Sequence, residues 1–109
     1  MSNKNKTTKT VLVDKILERT ENPEIEKQDV LNIIDLLLDE FKNSLVDGKC
    51  IELRGFGTLE LRLRKGKQAA RNPKTGEIVS VAPHYVAAFR SGQELRNKLW
   101  NLPIQPSDK

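Results

Sequence analysis

Residues 55–77 read GFGTLELRLRKGKQAARNPKTGE, and this stretch decides the fold. It opens with Gly55-Phe56-Gly57, the pattern of a tight turn between strands, with Phe56 expected in the core. Leu59, Leu61 and Leu63 then alternate with Glu60, Arg62 and Arg64. A period of two gives a strand one apolar face and one charged face. From Lys65 to Arg71 the large apolar residues disappear. Asn72-Pro73-Lys74-Thr75-Gly76 is a turn signal, because Pro pre-sets φ and Gly permits a positive φ. Ile78, Val79 and Val81 resume a strand. A hairpin over about 62–79 is therefore expected. It is long, basic and poor in core residues, so it cannot pack onto its own domain. A two-stranded ribbon is marginal alone in water. The pattern predicts an arm that projects, moves, and orders on a partner.

Working outward, Ile51 and Leu53 alternate with Glu52 and Arg54 as a preceding strand, and Asp47-Gly48 ends a helix before it. That helix is expected from about Glu26 to Leu45. Val30, Ile33, Ile34, Leu37, Phe41 and Leu45 follow helical steps, and Leu36 and Leu38 widen the stripe beyond one face. A shorter helix precedes it, with Val11, Leu12, Ile16 and Leu17 as its apolar residues and Thr8 or Thr10 as N-cap. Pro23 in Thr20-Glu21-Asn22-Pro23 stops it. Downstream, Pro83 breaks the chain before a strand over Tyr85–Phe89. Ser91 caps a short last helix, with Glu94 completing a capping box and Leu95, Leu99 and Trp100 facing inward. The order predicts an α+β fold: an N-terminal helical hairpin, an antiparallel sheet with an extended β-ribbon arm, and a short C-terminal helix.

At 109 residues the chain makes one domain, with residues 1–8 and 101–109 expected as flexible tails around a domain over 9–100. So short a chain buries a thin core. The wide stripe on the long helix is more than one short helix covers, which predicts burial against a second copy of the chain, with cover by the following sheet as the alternative. One Cys and one His exclude an internal disulfide and the usual His/Cys metal cages. No run approaches the ~18 apolar residues of a membrane span, and the polar start is not that of a signal peptide. A soluble cytoplasmic protein without membrane association is expected.

The net charge of +4 hides an asymmetry. Residues 11–53 hold five basic residues against eleven acidic ones. Residues 54–74 hold Arg54, Arg62, Arg64, Lys65, Lys67, Arg71 and Lys74 against Glu60 alone. A strongly basic segment in a mildly basic protein attracts a polyanion locally. A two-stranded ribbon fits a nucleic-acid groove.

Gly55-Phe56-Gly57-Thr58-Leu59, then Arg64, Lys67, Ala70 and Arg71-Asn72-Pro73-Lys74-Thr75-Gly76-Glu77, resemble the signature of the HU/integration host factor family of bacterial histone-like DNA-binding proteins. The resemblance runs from about Lys9 to Trp100 and includes Phe89-Arg90-Ser91-Gly92. Two departures stand out. The loop around Asn22-Pro23-Glu24 is longer than in short members, and the segment between Leu59 and Pro73 is one residue longer than in many. The resemblance implies an intertwined homodimer whose two arms reach around double-stranded DNA in its minor groove, bend it and compact it. It implies that Pro73 wedges between base pairs, that Arg71 and Asn72 lie against minor-groove edges, and that Arg62, Arg64, Lys65, Lys67 and Lys74 hold phosphates. Arg90 and Ser91, at the start of the last helix, suit a phosphate, because free N–H groups gather there. Lys9 has a weaker claim of the same kind. Bent, nicked or junction DNA would be favoured, and the protein would be nucleoid-associated.

Other readings are weaker. Gly55-x-Gly57 lacks the third Gly and the strand-to-helix setting of a dinucleotide loop. His84 has no Ser/Asp or Cys partner in the pattern, and Cys50 reads as a small strand residue. No acid/base or nucleophile constellation can be assembled, so no enzyme, cofactor or small-molecule substrate is expected. A helical scaffold or an RNA-binding protein using the same basic hairpin is the alternative from another class; an RNA binder would be expected to expose aromatics for base stacking, and the hairpin has none. Within the DNA-bending class, a sequence-preferring bender like integration host factor is the alternative to a sequence-independent one.

Overall fold

The computed structural model describes residues 6–106. In chain order it forms α1 (Lys9–Thr20), α2 (Lys27–Val46), β1 (Ile51–Leu53), β2 (Gly57–Arg64), β3 (Lys67–Arg71), β4 (Ile78–Val81), β5 (His84–Ser91) and α3 (Gln93–Trp100). The outer parts of the two expected tails, residues 1–5 and 107–109, lie outside the described residues. The chain divides into two compact units, one up to Lys42 and one from Asn43, with the boundary inside α2.

In the first unit Thr8 caps α1, its Oγ1 accepting from the Val11 N–H at 3.4 Å. The helix ends where Glu21 turns left-handed (φ 54°), two residues before Pro23. Asp29 reaches back from the first turn of α2 to the Glu26 N–H at 3.3 Å, which satisfies a donor that no helical carbonyl can reach. Two ion pairs cross between the helices: Lys9 Nζ to Asp35 Oδ1 at 2.6 Å, and Lys27 Nζ to Asp14 Oδ1 at 3.1 Å. The order in which the partners meet makes the hairpin antiparallel.

The inner residue of α1 is Val13, fully buried, and not Val11, Leu12 or Ile16, which are 40–49% exposed. Val13 and Leu17 stand four apart, so the inward face is rotated by a residue from the expected one. On α2, Val30 is buried and Ile34 and Phe41 are half-buried, but Ile33, Leu36, Leu37 and Leu38 are exposed. The expected stripe thus splits into a covered half and an uncovered half. Val13 and Val30 are the only buried large hydrophobics among the described residues.

In the second unit α2 ends in a Schellman motif. Gly48 is left-handed (φ 82°), its N–H donates to the Leu45 carbonyl at 2.9 Å, and the Lys49 N–H donates to the Ser44 carbonyl at 3.0 Å. β1, β2 and β5 form an antiparallel sheet in the order β1-β2-β5, and β3 and β4 form a separate two-stranded ribbon. The β1–β2 turn is closed by the Phe56 N–H on the Leu53 carbonyl at 2.9 Å, with positive φ at Gly55. Phe56 is not a core residue: it is 51% exposed and touches Phe89, ring centroids 4.9 Å apart. Gly57 is buried because β5 crosses it closely. A Cβ there would lie 2.5 Å from the Arg90 carbonyl oxygen and 2.6 Å from the Phe89 ring.

Two expectations for the last helix fail. Ser91 is paired in the ladder with Gly57, so the N-cap falls to Gly92, which makes no side-chain cap and donates its N–H to the Phe56 carbonyl at 2.8 Å. Trp100 faces out, 88% exposed, and Leu99 is half-exposed, leaving Leu95 as the inward residue.

Candidate nucleic-acid interface

β2 pairs with β5 along its whole length, from Gly57↔Ser91 to Arg64↔His84. Partners in an antiparallel ladder share a face. Leu59, Leu61 and Leu63 therefore lie with Phe89, Ala87 and Tyr85 on one face, and Thr58, Glu60, Arg62 and Arg64 with Arg90, Ala88, Val86 and His84 on the other. The basic face of the sheet is thus built by two strands, from residues some thirty positions apart. Arg62 and Arg64 belong to this sheet and not to the ribbon, so the arm is shorter at its base than 62–79 implied. Both strands break together, at Lys65-Gly66 and at Ala82-Pro83. Gly66 lies directly against the Val81 carbonyl, where no Cβ fits, and Pro83 has no N–H to offer a ladder.

The ribbon runs from Lys67↔Val81 to Arg71↔Ile78. Between Lys67↔Val81 and Ala70↔Val79, β3 has one more residue than β4, a β-bulge. Ser80 Oγ donates to the Gln68 carbonyl at 3.0 Å, which occupies an acceptor that the bulge takes out of the ladder.

That tip is held by its own hydrogen bonds. The Asn72 N–H donates to the Glu77 carbonyl, and the Gly76 N–H to the Asn72 carbonyl, both at 2.7 Å. Asn72 Oδ1 accepts from the Lys74 N–H at 2.9 Å, and Thr75 Oγ1 from the Glu77 N–H at 3.2 Å. Arg71 Nη1 donates to the Gly76 carbonyl at 3.0 Å, and Gly76 has φ 76°. Arg71 and Asn72 therefore build the turn, as the turn signal at Asn72 led one to expect and the charge of Arg71 did not. Pro73 and Lys74 are left exposed at the tip, and the ring of Pro73 leaves no N–H unpaired.

The expected site residues fall into groups. Arg62, Arg64 and Arg90 share the sheet face, Lys65 lies at the junction, Lys67 and Arg71 are on β3, and Asn72, Pro73 and Lys74 are at the tip. Ser91 is at the end of β5 and is half-buried. Lys9 belongs to the other unit, where its ammonium is paired with Asp35. Glu60 was missed as a site residue. It accepts from Nε of both Arg62 and Arg90, each at 3.3 Å. Its signal was visible: it is the sole acid between residues 54 and 74.

A sheet and ribbon with this topology are those of a known class. The family model for bacterial DNA-binding proteins matches residues 7–99, and the chain belongs to that family. Among solved structures it is similar to HU from Anabaena in a cocrystal with DNA, with 29% identity, a TM-score of 0.73, and coverage of 88% of this chain and 100% of that one. It is also similar in fold to HU from Thermotoga maritima, at 20% identity and a TM-score of 0.56 over 85% of this chain and 98% of that one. A point mutant of that protein matches at 24% identity and a TM-score of 0.60, over 85% and 99%. The expected α+β architecture, with its helical hairpin, ribbon arm and short last helix, is the one observed, and the resemblance to the HU family holds.

Proposed function

We propose that this protein is an architectural DNA-binding protein that binds double-stranded DNA as a homodimer, bends it and compacts it with little regard to sequence. The observation that carries the reading is the ribbon: it has its own strand pairing, basic side chains, and an exposed proline on a tip closed by its own hydrogen bonds. Such a tip enters a groove with the N–H groups of Asn72, Lys74, Gly76 and Glu77 already paired. Arg71, Asn72 and Pro73 meet the minor groove, with Pro73 as the wedge. Lys65, Lys67 and Lys74, with Arg62, Arg64 and Arg90 on the sheet, hold phosphates. Ser91 and Lys9 are peripheral contacts.

Wedging unstacks a base step at a cost of a few kcal/mol, and bending a 20–30 bp site costs on the order of 1–6 kcal/mol. Phosphate contacts offset both. Nicked, bent or four-way-junction DNA has already met part of that cost and binds more tightly. The work is that of a nucleoid component and includes no catalysis.

The second copy is supported by what one chain leaves open. Ile33, Leu36, Leu37 and Leu38 are uncovered on α2, and Leu45, Val46, Gly48, Leu61 and Tyr85 line an open apolar groove in the second unit. Leaving this much apolar surface in water forfeits the main driving force of folding.

Pro73→Ala tests the wedge. It keeps the charge of the arm and should abolish bending, read as ring closure of short fragments or energy transfer between end labels. Affinity should fall about tenfold on linear duplex and much less on nicked DNA, because the unstacking term of a few kcal/mol is then absent from both proteins. Equal losses on both substrates, with the bend of the remaining complexes unchanged, would remove the wedge.

A further inference from the structure

Glu60 lies on the basic face of the sheet, between two cations that reach it from different strands. Its Oε2 accepts from Nε of Arg62, two residues along β2, and its Oε1 from Nε of Arg90 on β5. The Glu60 side chain is 26% exposed, whereas those of Arg62 and Arg90 are 55% and 65% exposed. The carboxylate is therefore the inner member of the trio and the guanidiniums the outer ones. Both arginines are held by Nε. Among the described residues no hydrogen bond engages their Nη groups. The Nη ends supply most of the donors with which an arginine fork grips a phosphate.

Exposed ion pairs of this kind add little to stability. Glu60 has a clearer consequence for binding. A phosphate that approaches the two guanidiniums meets a carboxylate already bonded to both, and the cluster presents one net positive charge where the arginines alone would present two. We propose that Glu60 is a positioning residue of the DNA surface: it acts through Arg62 and Arg90, holds them side by side with their Nη groups free, and as a built-in competitor for phosphate restrains the affinity and salt sensitivity of the sheet face. The inference rests on the reading that these two arginines contact DNA.

The test uses the full chain and a short mixed-sequence duplex, with Kd measured by fluorescence anisotropy over a range of salt. Glu60→Gln keeps the size of the side chain and one acceptor oxygen but removes the charge. It should bind about 3–10-fold more tightly at low salt, with the slope of log K against log salt steeper by about one per protomer. In an Arg62→Ala/Arg90→Ala background the same substitution should change affinity by no more than about twofold, because the groups it acts through are gone. Glu60→Ala covers the case in which glutamine disturbs the sheet, and for it the slope is the readout, with the same expectation. Thermal melting by circular dichroism confirms that each variant is folded.

Unchanged or weaker binding by folded Glu60→Gln overturns the inference. So does a gain of equal size without the two arginines, since Glu60 would then act as bulk charge. If Arg62→Ala/Arg90→Ala binds like the parent protein, the assignment of these arginines to the DNA surface fails and the inference fails with it. If the parent protein does not bind duplex at all, the DNA reading itself is wrong, a result distinct from a silent Glu60→Gln.

Discussion

Apolar and basic surface are both left uncovered among the described residues, and they ask for different partners. On α2, Ile33, Leu36, Leu37 and Leu38 are exposed, and the apolar sheet face exposes Leu63, Tyr85 and Phe89. The other sheet face and the ribbon expose Arg62, Arg64, Lys65, Lys67 and Lys74. Apolar surface gains nothing from a polyanion and is satisfied by more apolar surface. A basic ribbon gains little from another protein of the same charge and is satisfied by phosphates. The first association is insensitive to salt at its core. The second weakens with salt, because each phosphate contact releases a counterion. A fold with one surplus of each kind can complete its core with one partner and do its work on another.

Leu37→Asp attacks the apolar surplus and carries the largest expected effect. The parent chain should sediment at twice 12.4 kDa at micromolar concentration. The variant places an unpaired carboxylate where the second copy is proposed to sit, a cost of several kcal/mol. It should lose helical circular dichroism together with dimerisation, at any salt concentration. A folded monomer that still binds DNA would show that the two surpluses are independent and that the first needs no partner.

The helix order, the strand order and the basic hairpin were legible because they are written in short-range patterns: the period of two after Gly57, the turn at Asn72-Pro73, the stop at Gly48. What the sequence hid depends on register. That Arg62 and Arg64 stay on the sheet follows from their pairing with Val86 and His84, twenty or more positions away. That Ser91 is a ladder residue and not a cap follows from its pairing with Gly57. The shared carboxylate of Glu60 needs β2 and β5 in one register. Arg71 and Asn72 were recognised as tip residues, but composition does not tell a side chain that reads a groove from one that closes its own turn. The split of the α2 stripe was half-legible: its width was plain, and which half stays uncovered was not.

Gly57→Ala strikes both surfaces at once and should have an intermediate effect. Its Cβ meets the Arg90 carbonyl and the Phe89 ring, so β5 must shift. Phe89 lies on the apolar face and Arg90 on the basic one. Overpacking of this kind costs about 1–3 kcal/mol. Thermal melting should drop, and duplex affinity should drop with it even at temperatures where the protein stays folded. A lower melting temperature with unaltered affinity would mean that the position of Arg90 does not matter to DNA, and would narrow the basic surface to the ribbon.

Ser80→Ala should have the smallest effect, and it separates the ribbon from the rest. The hydroxyl donates to the Gln68 carbonyl inside the bulge and, among the described residues, makes no hydrogen bond to the sheet or to a charged side chain. A neutral hydrogen bond contributes about 0.5–1.5 kcal/mol, and at an exposed site water replaces part of it. Amide hydrogens of β3 and β4 should therefore exchange a few-fold faster, while those of β2 and β5 and the melting temperature stay as they were. Regions stabilised by few buried contacts open on their own in this way. DNA affinity should fall by less than about tenfold, because a looser ribbon loses more freedom on binding. The salt slope should not change, since no phosphate contact is lost. A change in slope would place Ser80 or the bulge among the phosphate contacts. A drop in melting temperature would make ribbon and sheet one cooperative unit, and the basic surplus would then be as much a part of the folded core as the apolar one.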